Sequence, residues 1–130
     1  SKLNTCAIDQ VVLGDGVIVT DSSLHRCVVG SRAFISEGCR VDDSVIMGSD
    51  YYETTGQLAE NKGPRSRPPI GIGRDVVLER VVVDKNARIG DGSRLVNEAG
   101  LDHADGDGWY IRGGIIVVSK GAVIPPGTVV

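Results

Sequence analysis

The chain has 130 residues, enough for one domain, and 41% of them are hydrophobic, which is enough to form a core. Its formal net charge of -3, without a basic block, argues against a nucleic-acid surface. No stretch has the length of a membrane span, and residues 1–6 do not resemble a signal peptide, so we expect neither. The three cysteines, Cys6, Cys27 and Cys39, have no CxxC spacing, which favours free thiols in a reducing compartment. A zinc site is the weaker alternative.

The first third of the chain carries apolar residues at six-residue steps: Val29, Ile35, Val41 and Met47. Steps of six, five and five lead into this row from Leu13, Val19 and Leu24. A period of six fits neither an α-helix nor a flat strand, but it fits a coil with three flat faces, each hexad forming one face and one corner. We predict short strands at 17–19, 27–29, 33–35 and 45–47, bounded by turn-forming residues.

Two segments interrupt the pattern. Residues 49–69 form a first excursion, with a short helical turn over 55–62 and extended backbone at the prolines Pro64, Pro68 and Pro69. The period returns in a second row: Ile72, Leu78, Val83, Ile89 and Leu95. A second excursion covers 97–114, and the final block contains Val118, Ile124 and Val130.

Together these segments predict an all-β chain, residues 1–130, folded as one parallel β-helix of four to five coils with two loop excursions. We expect about 18 residues per coil, that is, three hexads, and coils rising about 4.8 Å each. The apolar end at Val129 and Val130 indicates either packing against a partner or a frayed terminus.

The motifs for catalysis and nucleotide binding are weak. GIGRDVV at 71–77 lacks the lysine and spacing of a phosphate-binding loop, so we interpret it as a coil corner. An acidic loop loosely suggests calcium but fails the EF-hand spacing: Asp102, Asp105 and Asp107. Hexad β-helices include acyltransferases with a catalytic histidine, which makes His25 a candidate. No partner carboxylate can be tied to it from the sequence, so a structural histidine is the simpler interpretation.

Two lysines each follow an apolar strand by one or two residues, Lys85 in VVVDKNARIG and Lys120 in VVVSKGAVIP. We expect both at outward corners, where two ammonium groups and an arginine would suit a phosphorylated anion. The arginines in or near the same coils are Arg74, Arg80, Arg88 and Arg112. Spacing alone favours the simpler interpretation that the lysines only solvate the corners.

Five motifs resemble a known family: MGSDYYET, PIGIGR, VDKNARIG, GWYIRGGI and VSKGAVIPPGTVV. They are similar, over essentially the whole chain, to the C-terminal domain of ADP-glucose pyrophosphorylase (glucose-1-phosphate adenylyltransferase) of the plant, algal and cyanobacterial type. The resemblance implies a left-handed parallel β-helix. It also implies that the N-terminal catalytic nucleotidyltransferase domain, which uses ATP and Mg²⁺, is absent from this chain. We therefore expect no cofactor and no catalytic residue here.

The same resemblance implies a regulatory and oligomerisation domain of a tetrameric enzyme of starch or glycogen synthesis. It carries two activator-binding lysines onto Lys85 and Lys120, as an allosteric site for 3-phosphoglycerate or phosphate. The implied partners are the catalytic domain and the other subunits, without nucleic acid or membrane, in the plastid stroma or a cyanobacterial cytoplasm. The alternatives are a hexad-repeat acyltransferase that uses acyl-CoA and a purely structural assembly module. Subunit type stays open.

Overall fold

A computed structural model describes residues 1–61 and 66–130 of the chain. Two residues on which predictions were made, Lys62 and Pro64, lie outside these ranges. The strands in chain order are β1 (Lys2–Asn4), β2 (Ala7–Leu13), β3 (Ile18–Thr20), β4 (Ser23–Val29), β5 (Phe34–Ile35), β6 (Arg40–Asp42), β7 (Val45–Ile46), β8 (Gly71–Ile72), β9 (Val77–Glu79), β10 (Val81–Val83), β11 (Arg88–Ile89), β12 (Arg94–Leu95), β13 (His103–Asp105), β14 (Trp109–Arg112), β15 (Ile115–Val118) and β16 (Val123–Ile124).

The strands stack into three parallel faces. Face 1 has the order β1-β3-β5-β8-β11-β16. Face 2 consists of the first halves of β2 and β4 with β6, β9 and β12, and face 3 of the second halves of β2 and β4 with β7, β10 and β15. The described residues form five complete coils and the start of a sixth, so the predicted parallel coil is confirmed.

The coils are slightly shorter than predicted. On face 1, Leu3, Val19 and Ile35 are aligned at intervals of 16 residues, and Ile72 and Ile89 at 17. Most predicted inward residues are buried: Val19, Leu24, Val29, Ile35, Val41, Ile72, Leu78, Val83, Ile89, Leu95, Val118 and Ile124. Burying one such side chain contributes about 1.5–3 kcal/mol, so this column is the main source of stability.

Met47 is not one of the inward residues, contrary to the prediction. Its side chain is 44% exposed, whereas Ile46 is 4% exposed. Ile46 is aligned with Val29 in one neighbouring coil and Val83 in the other. The step from Val41 to the next inward position is therefore five residues, as it is from Leu24 to Val29.

The five-residue step has a local cause at the corner between faces 2 and 3. One residue there adopts a left-handed backbone and turns the chain: Arg26 (φ 52°), Asp43 (φ 49°) and Arg80 (φ 53°) in successive coils. A single residue in this conformation completes the corner, so the hexad loses one position. Polar side chains tolerate it at modest cost, and glycine is not required.

The corner between faces 3 and 1 is built by close backbone stacking. Gly30 lies one residue after Val29, and an added Cβ would come 2.1 Å from the Met47 carbonyl oxygen. Gly48 has φ +90°, and an added Cβ would come 2.2 Å from the Ser31 carbonyl oxygen. These contacts explain the apolar-glycine pairs of the sequence, because a larger residue would separate the coils.

The first excursion leaves the coil at this corner and is fastened by a buried ion pair. Helix α1 (Thr55–Glu60) begins with a capping box, in which Thr54 Oγ1 accepts from Gln57 N at 3.1 Å. Arg88 Nη1 donates to Glu53 Oε2 at 3.1 Å, and the two side chains are only 9% and 10% exposed. The other oxygen of Glu53 accepts from Ile70 N, so one carboxylate ties both ends of the excursion.

The second excursion is not a loop. Strands β13 and β14 form an antiparallel hairpin that pairs with β15 and so extends face 3. Trp109 and Tyr110 align with Val118 and Val117, so the aromatic residues continue the sheet rather than crowd the narrow core. No helix among the described residues is long and apolar enough to cross a bilayer.

The cysteines are free thiols, as predicted. Cys27 and Cys39 are buried, and their Sγ atoms donate to the carbonyl oxygens of Val41 at 3.2 Å and Gly73 at 2.9 Å. Burial raises the pKa of both thiols, which keeps them protonated and unreactive near neutral pH. In residues 1–61 and 66–130, no cluster of three or more His, Cys, Asp or Glu side chains can hold a metal ion.

The five-residue step can be tested by truncating its two candidate residues. We expect Ile46→Ala to lower the free energy of unfolding by about 2–4 kcal/mol, because it leaves a cavity in the stacked core. Met47→Ala, at an exposed corner, should cost less than about 1 kcal/mol. Urea unfolding of both variants distinguishes them, and a larger loss for Met47→Ala would contradict the assignment.

The buried ion pair predicts a second effect. We expect Glu53→Gln to cost about 3 kcal/mol, because it leaves the Arg88 guanidinium buried without its counter-charge. The matched control is Glu98→Gln, which breaks the exposed Arg94–Glu98 pair (2.8 Å) and should cost at most about 1 kcal/mol. Equal urea midpoints for the two variants would show that the buried pair does not fasten the excursion.

Candidate anion site at the lysine corner

The two predicted lysines lie on neighbouring coils at the same corner. Strands β11 and β16 pair with Arg88 aligned to Val123, and Lys85 and Lys120 each precede these residues by three positions. The backbone confirms the stacking, since Gly121 N donates to the Lys85 carbonyl oxygen at 2.9 Å. We call residues 84–86 and 119–121 the lysine corner. Both lysines are exposed, as predicted.

The corner holds the lysines through the same left-handed turn in both coils. Asn86 (φ 62°) and Gly121 (φ 68°) occupy equivalent positions directly after the lysines. Asparagine and glycine both adopt this conformation readily. Only Asn86 carries a side chain there, and it uses that side chain to hold the start of the first excursion.

Asp50 contacts the lysine corner through Lys85 and Asn86. Its Oδ1 lies 3.3 Å from Lys85 Nζ, and its Oδ2 accepts from Asn86 Nδ2 at 3.0 Å. Its own backbone N donates to Asn86 Oδ1 at 2.9 Å, so Asp50 and Asn86 are joined by a reciprocal pair of hydrogen bonds. The Lys85 ammonium and the Asn86 side-chain amide therefore both lie against Asp50, while the corner's own carboxylate, Asp84, accepts from Lys85 N at 2.7 Å.

The electrostatics agree with this geometry. The pKa of the Asp50 carboxyl lies below its ordinary value, first because Asn86 donates a hydrogen bond to it and then because Lys85 does. The attraction of Lys120 lowers it further, so both lysines act on the same carboxylate. Asp50 therefore stays charged to a lower pH than a free aspartate does.

The four arginines that the sequence places in or near the same coils have acidic partners of their own. Each lies within 4 Å of a carboxylate of its own: Arg74–Glu37, Arg80–Glu79, Arg88–Glu53 and Arg112–Asp105. Within the described contacts, the site has two lysines and no arginine.

A groove lies beside this corner, between face 1 and the first excursion. Its volume is about 540 Å³, and aromatic and aliphatic side chains dominate its walls. The main lining residues are Phe34, Tyr51, Tyr52, Leu58, Ile70 and Ile72. Two of them, Tyr51 and Tyr52, directly follow Asp50 in the chain.

His25 lies far along the coil stack from the lysine corner. Its Nδ1 is 3.9 Å from Asp42 Oδ1, a neighbour that the sequence did not identify. The other oxygen of Asp42 accepts from Arg40 Nε at 2.9 Å. In the described part of the chain, His25 lines neither this groove nor the shallower one over β2, β4 and β7. It therefore has a carboxylate partner and lies outside both of these grooves.

The acidic loop also has a structural explanation. Asp105 accepts from Arg112 Nη2 at 2.9 Å across the hairpin, and the Arg112 guanidinium lies 5.0 Å from the centre of the Tyr110 ring. These contacts hold β13 against β14. The loop residues thus stabilise the hairpin, as a solvated acidic turn would.

The sequence did not reveal that Asp50 and Glu53 contact residues of the VDKNARIG motif. Both belong to MGSDYYET, and their partners Lys85, Asn86 and Arg88 belong to VDKNARIG. The signal was the joint presence of two specific motifs about 35 residues apart. Their pairing could not be inferred because the excursion between them hides the coil alignment.

Comparisons with known proteins identify the family. The chain matches the model of the GLGC left-handed parallel beta-helix domain over residues 1–129. It is 40% identical over 135 residues to the "Glucose-1-phosphate adenylyltransferase small subunit, chloroplastic/amyloplastic" of Triticum aestivum, an alignment that covers 100% of this chain and 28% of the wheat protein. It is 42% identical over 129 residues to the "Glucose-1-phosphate adenylyltransferase small subunit" of Zea mays, covering 95% of this chain and 100% of the maize sequence.

The chain thus spans little more than a quarter of the wheat relative's length. The family match confirms the predicted left-handed parallel β-helix and the resemblance to the C-terminal domain of ADP-glucose pyrophosphorylase. The strands of the chain, the stacking of its coils and its relatives all indicate the same family. The chain belongs to the family of the GLGC left-handed parallel beta-helix domain.

Proposed function

We propose that this chain is the regulatory and assembly domain of a glucose-1-phosphate adenylyltransferase, and that its lysine corner binds a phosphorylated effector. The observation that carries the proposal is the stacking of Lys85 and Lys120 at the same corner of adjacent coils, where Gly121 N donates to the Lys85 carbonyl oxygen. Two ammonium groups on adjacent coils provide charge and rotatable donors for phosphate oxygens. The effector we propose is 3-phosphoglycerate or inorganic phosphate.

The names of the relatives support the parent reaction. Both are glucose-1-phosphate adenylyltransferase small subunits, so we propose that the parent protein converts ATP and glucose 1-phosphate into ADP-glucose and pyrophosphate, in starch or glycogen synthesis. We assign ATP and Mg²⁺ to a catalytic domain outside this chain. The described residues have no carboxylate cluster that fits a divalent cation. The wheat name supports a plastid location and a small-subunit type.

The effector site proposed here is incomplete within this chain. Two exposed lysines, one of them already paired with Asp50, bind an anion weakly because water and salt compete for the same charges. We propose that the catalytic domain supplies further cations. The arginines of this chain named above already pair with carboxylates of their own.

The proposed assembly role is supported by the outer surface of face 3. Inward residues there alternate with an outward row of valines aligned from coil to coil: Val12, Val28, Val45, Val82 and Val117. Val12 is 65% exposed and Val28 is 47% exposed. A flat apolar row on a sheet marks an interaction surface, and we propose another subunit of the same protein as its partner.

Effector binding is tested by titrating the chain with phosphate or 3-phosphoglycerate in amide NMR. We expect the largest shift changes near Lys85 and Lys120. Lys85→Ala and Lys120→Ala should each weaken binding about two- to fivefold, because an exposed charge pair contributes at most about 1 kcal/mol. The control is Lys2→Ala, which removes the same charge from an exposed residue at the far end of the stack.

If Lys2→Ala weakened binding as much as the two corner variants, the effect would reflect net charge only. If the shifts lay outside the lysine corner, the effector assignment would be wrong. Either result would leave the family assignment intact.

Assembly is tested by placing a charge in the valine row. We expect Val28→Lys to shift the sedimentation of the chain toward smaller species, because an ammonium in an apolar interface must be desolvated. Leu101→Lys is the matched control, since Leu101 is also 47% exposed but lies in the second excursion. A folded Val28→Lys variant that sediments like the unaltered chain would rule out this face as a subunit contact.

A further inference from the structure

We propose that Asp50 is an internal competitor of the anion at the lysine corner, and that an incoming anion displaces it and so repositions the start of the first excursion. The inference rests on the proposed effector site and adds its regulation. Asp50 would set the affinity of the corner and report its occupancy to the neighbouring groove.

Asp50 uses the hydrogen-bond donors that a bound anion would need. Asp50 accepts from Lys85 Nζ at 3.3 Å and from Asn86 Nδ2 at 3.0 Å. The positive charge of Lys120, on the adjacent coil, also lowers the pKa of the Asp50 carboxyl. A phosphate that binds between the two lysines needs these donors and this space. The carboxylate and the phosphate therefore exclude each other.

The ion pair between Lys85 and Asp50 can separate. Lys85 and Asp50 are 49% and 47% exposed, in contrast to the buried pair of Arg88 and Glu53. Exposed ion pairs are weak because water and salt compete for both charges, so a dianion with more acceptor oxygens can replace a single carboxylate. The exposed and buried pairs lie three residues apart in the excursion, and only the exposed pair can exchange its partner.

The residues that follow Asp50 in the chain line the groove. Glu53 fixes the chain through Arg88 and Ile70, so displacement of Asp50 moves only the short segment 50–52. That segment contains Tyr51 and Tyr52, which line the groove of about 540 Å³. The Tyr52 hydroxyl donates to the Gly16 carbonyl oxygen, a contact that this movement would strain or break. Anion binding at the corner therefore changes the shape of the groove.

The experiment compares three variants of the 130-residue chain in phosphate titrations followed by amide NMR. Asp50→Asn keeps the size of the side chain and removes its charge, and we expect it to bind phosphate about two- to fivefold more tightly. Asp50→Glu keeps the carboxylate and should not bind more tightly. Asp102→Asn removes one charge from the exposed second excursion and controls for net charge.

The second readout is the position of the segment itself. In the unaltered chain, we expect phosphate to shift the amide resonances of Tyr51 and Tyr52 together with those of Lys85 and Lys120. In Asp50→Asn, the tyrosine shifts should be smaller, because no charged side chain has to leave the corner. A thermal unfolding midpoint close to that of the unaltered chain verifies that each variant is folded.

The outcomes separate this inference from the proposed function. Phosphate binding at the lysines that is unchanged or weaker in Asp50→Asn, or that leaves Tyr51 and Tyr52 unshifted, overturns the competitor role alone. Tighter binding by Asp102→Asn of equal size reduces the effect to net charge and also overturns it. If neither the unaltered chain nor Asp50→Asn shows shifts at Lys85 and Lys120, the effector site itself is wrong.

Discussion

Every feature of this molecule depends on the parallel hydrogen-bond ladder that stacks one coil on the next. A single coil of about 16 residues buries almost nothing, because each face contributes one inward side chain. Stacking aligns these side chains into a continuous column, exemplified by Val29, Ile46 and Val83. The backbone groups of each strand find partners in the coils on either side, so core and ladder form together. The corners must then be tight, which explains the left-handed residues and the glycines that no other residue could replace without separating the coils.

The same ladder determines where functional groups meet. Because equivalent positions recur from coil to coil, an exposed corner becomes a row of residues separated by a whole coil in sequence and about 4.8 Å in space. Lys85 and Lys120 meet in this way, although an entire hairpin is inserted between them. Both excursions leave at corners, so they add contacts without interrupting a face. One brings Asp50 to the lysines, and the other extends face 3.

The first excursion joins a rigid attachment to an exchangeable one. Glu53 and Arg88 form a nearly dry ion pair, whose separation would leave a charge buried without compensation. Asp50 and Lys85 form a solvent-exposed pair, in which another anion can take the place of Asp50 at little cost. Between the two lie the tyrosines that line the groove. A ligand at the corner can thus move one end of a short segment while the other end stays fixed.

The amino-acid sequence alone determined the all-β coil, most inward residues, both excursions, the outward lysines and the family, because hexad periodicity and specific motifs are local properties. It placed Met47 inward, since counting in sixes overlooks the corner where one left-handed residue shortens the step. Only the tertiary structure decided that the second excursion is a hairpin, that the arginines pair with carboxylates of their own, and that Asp50 pairs with Lys85. Those contacts depend on which corner an excursion leaves and on how the coils align across it. That information is not local, because it arises only when the coils stack.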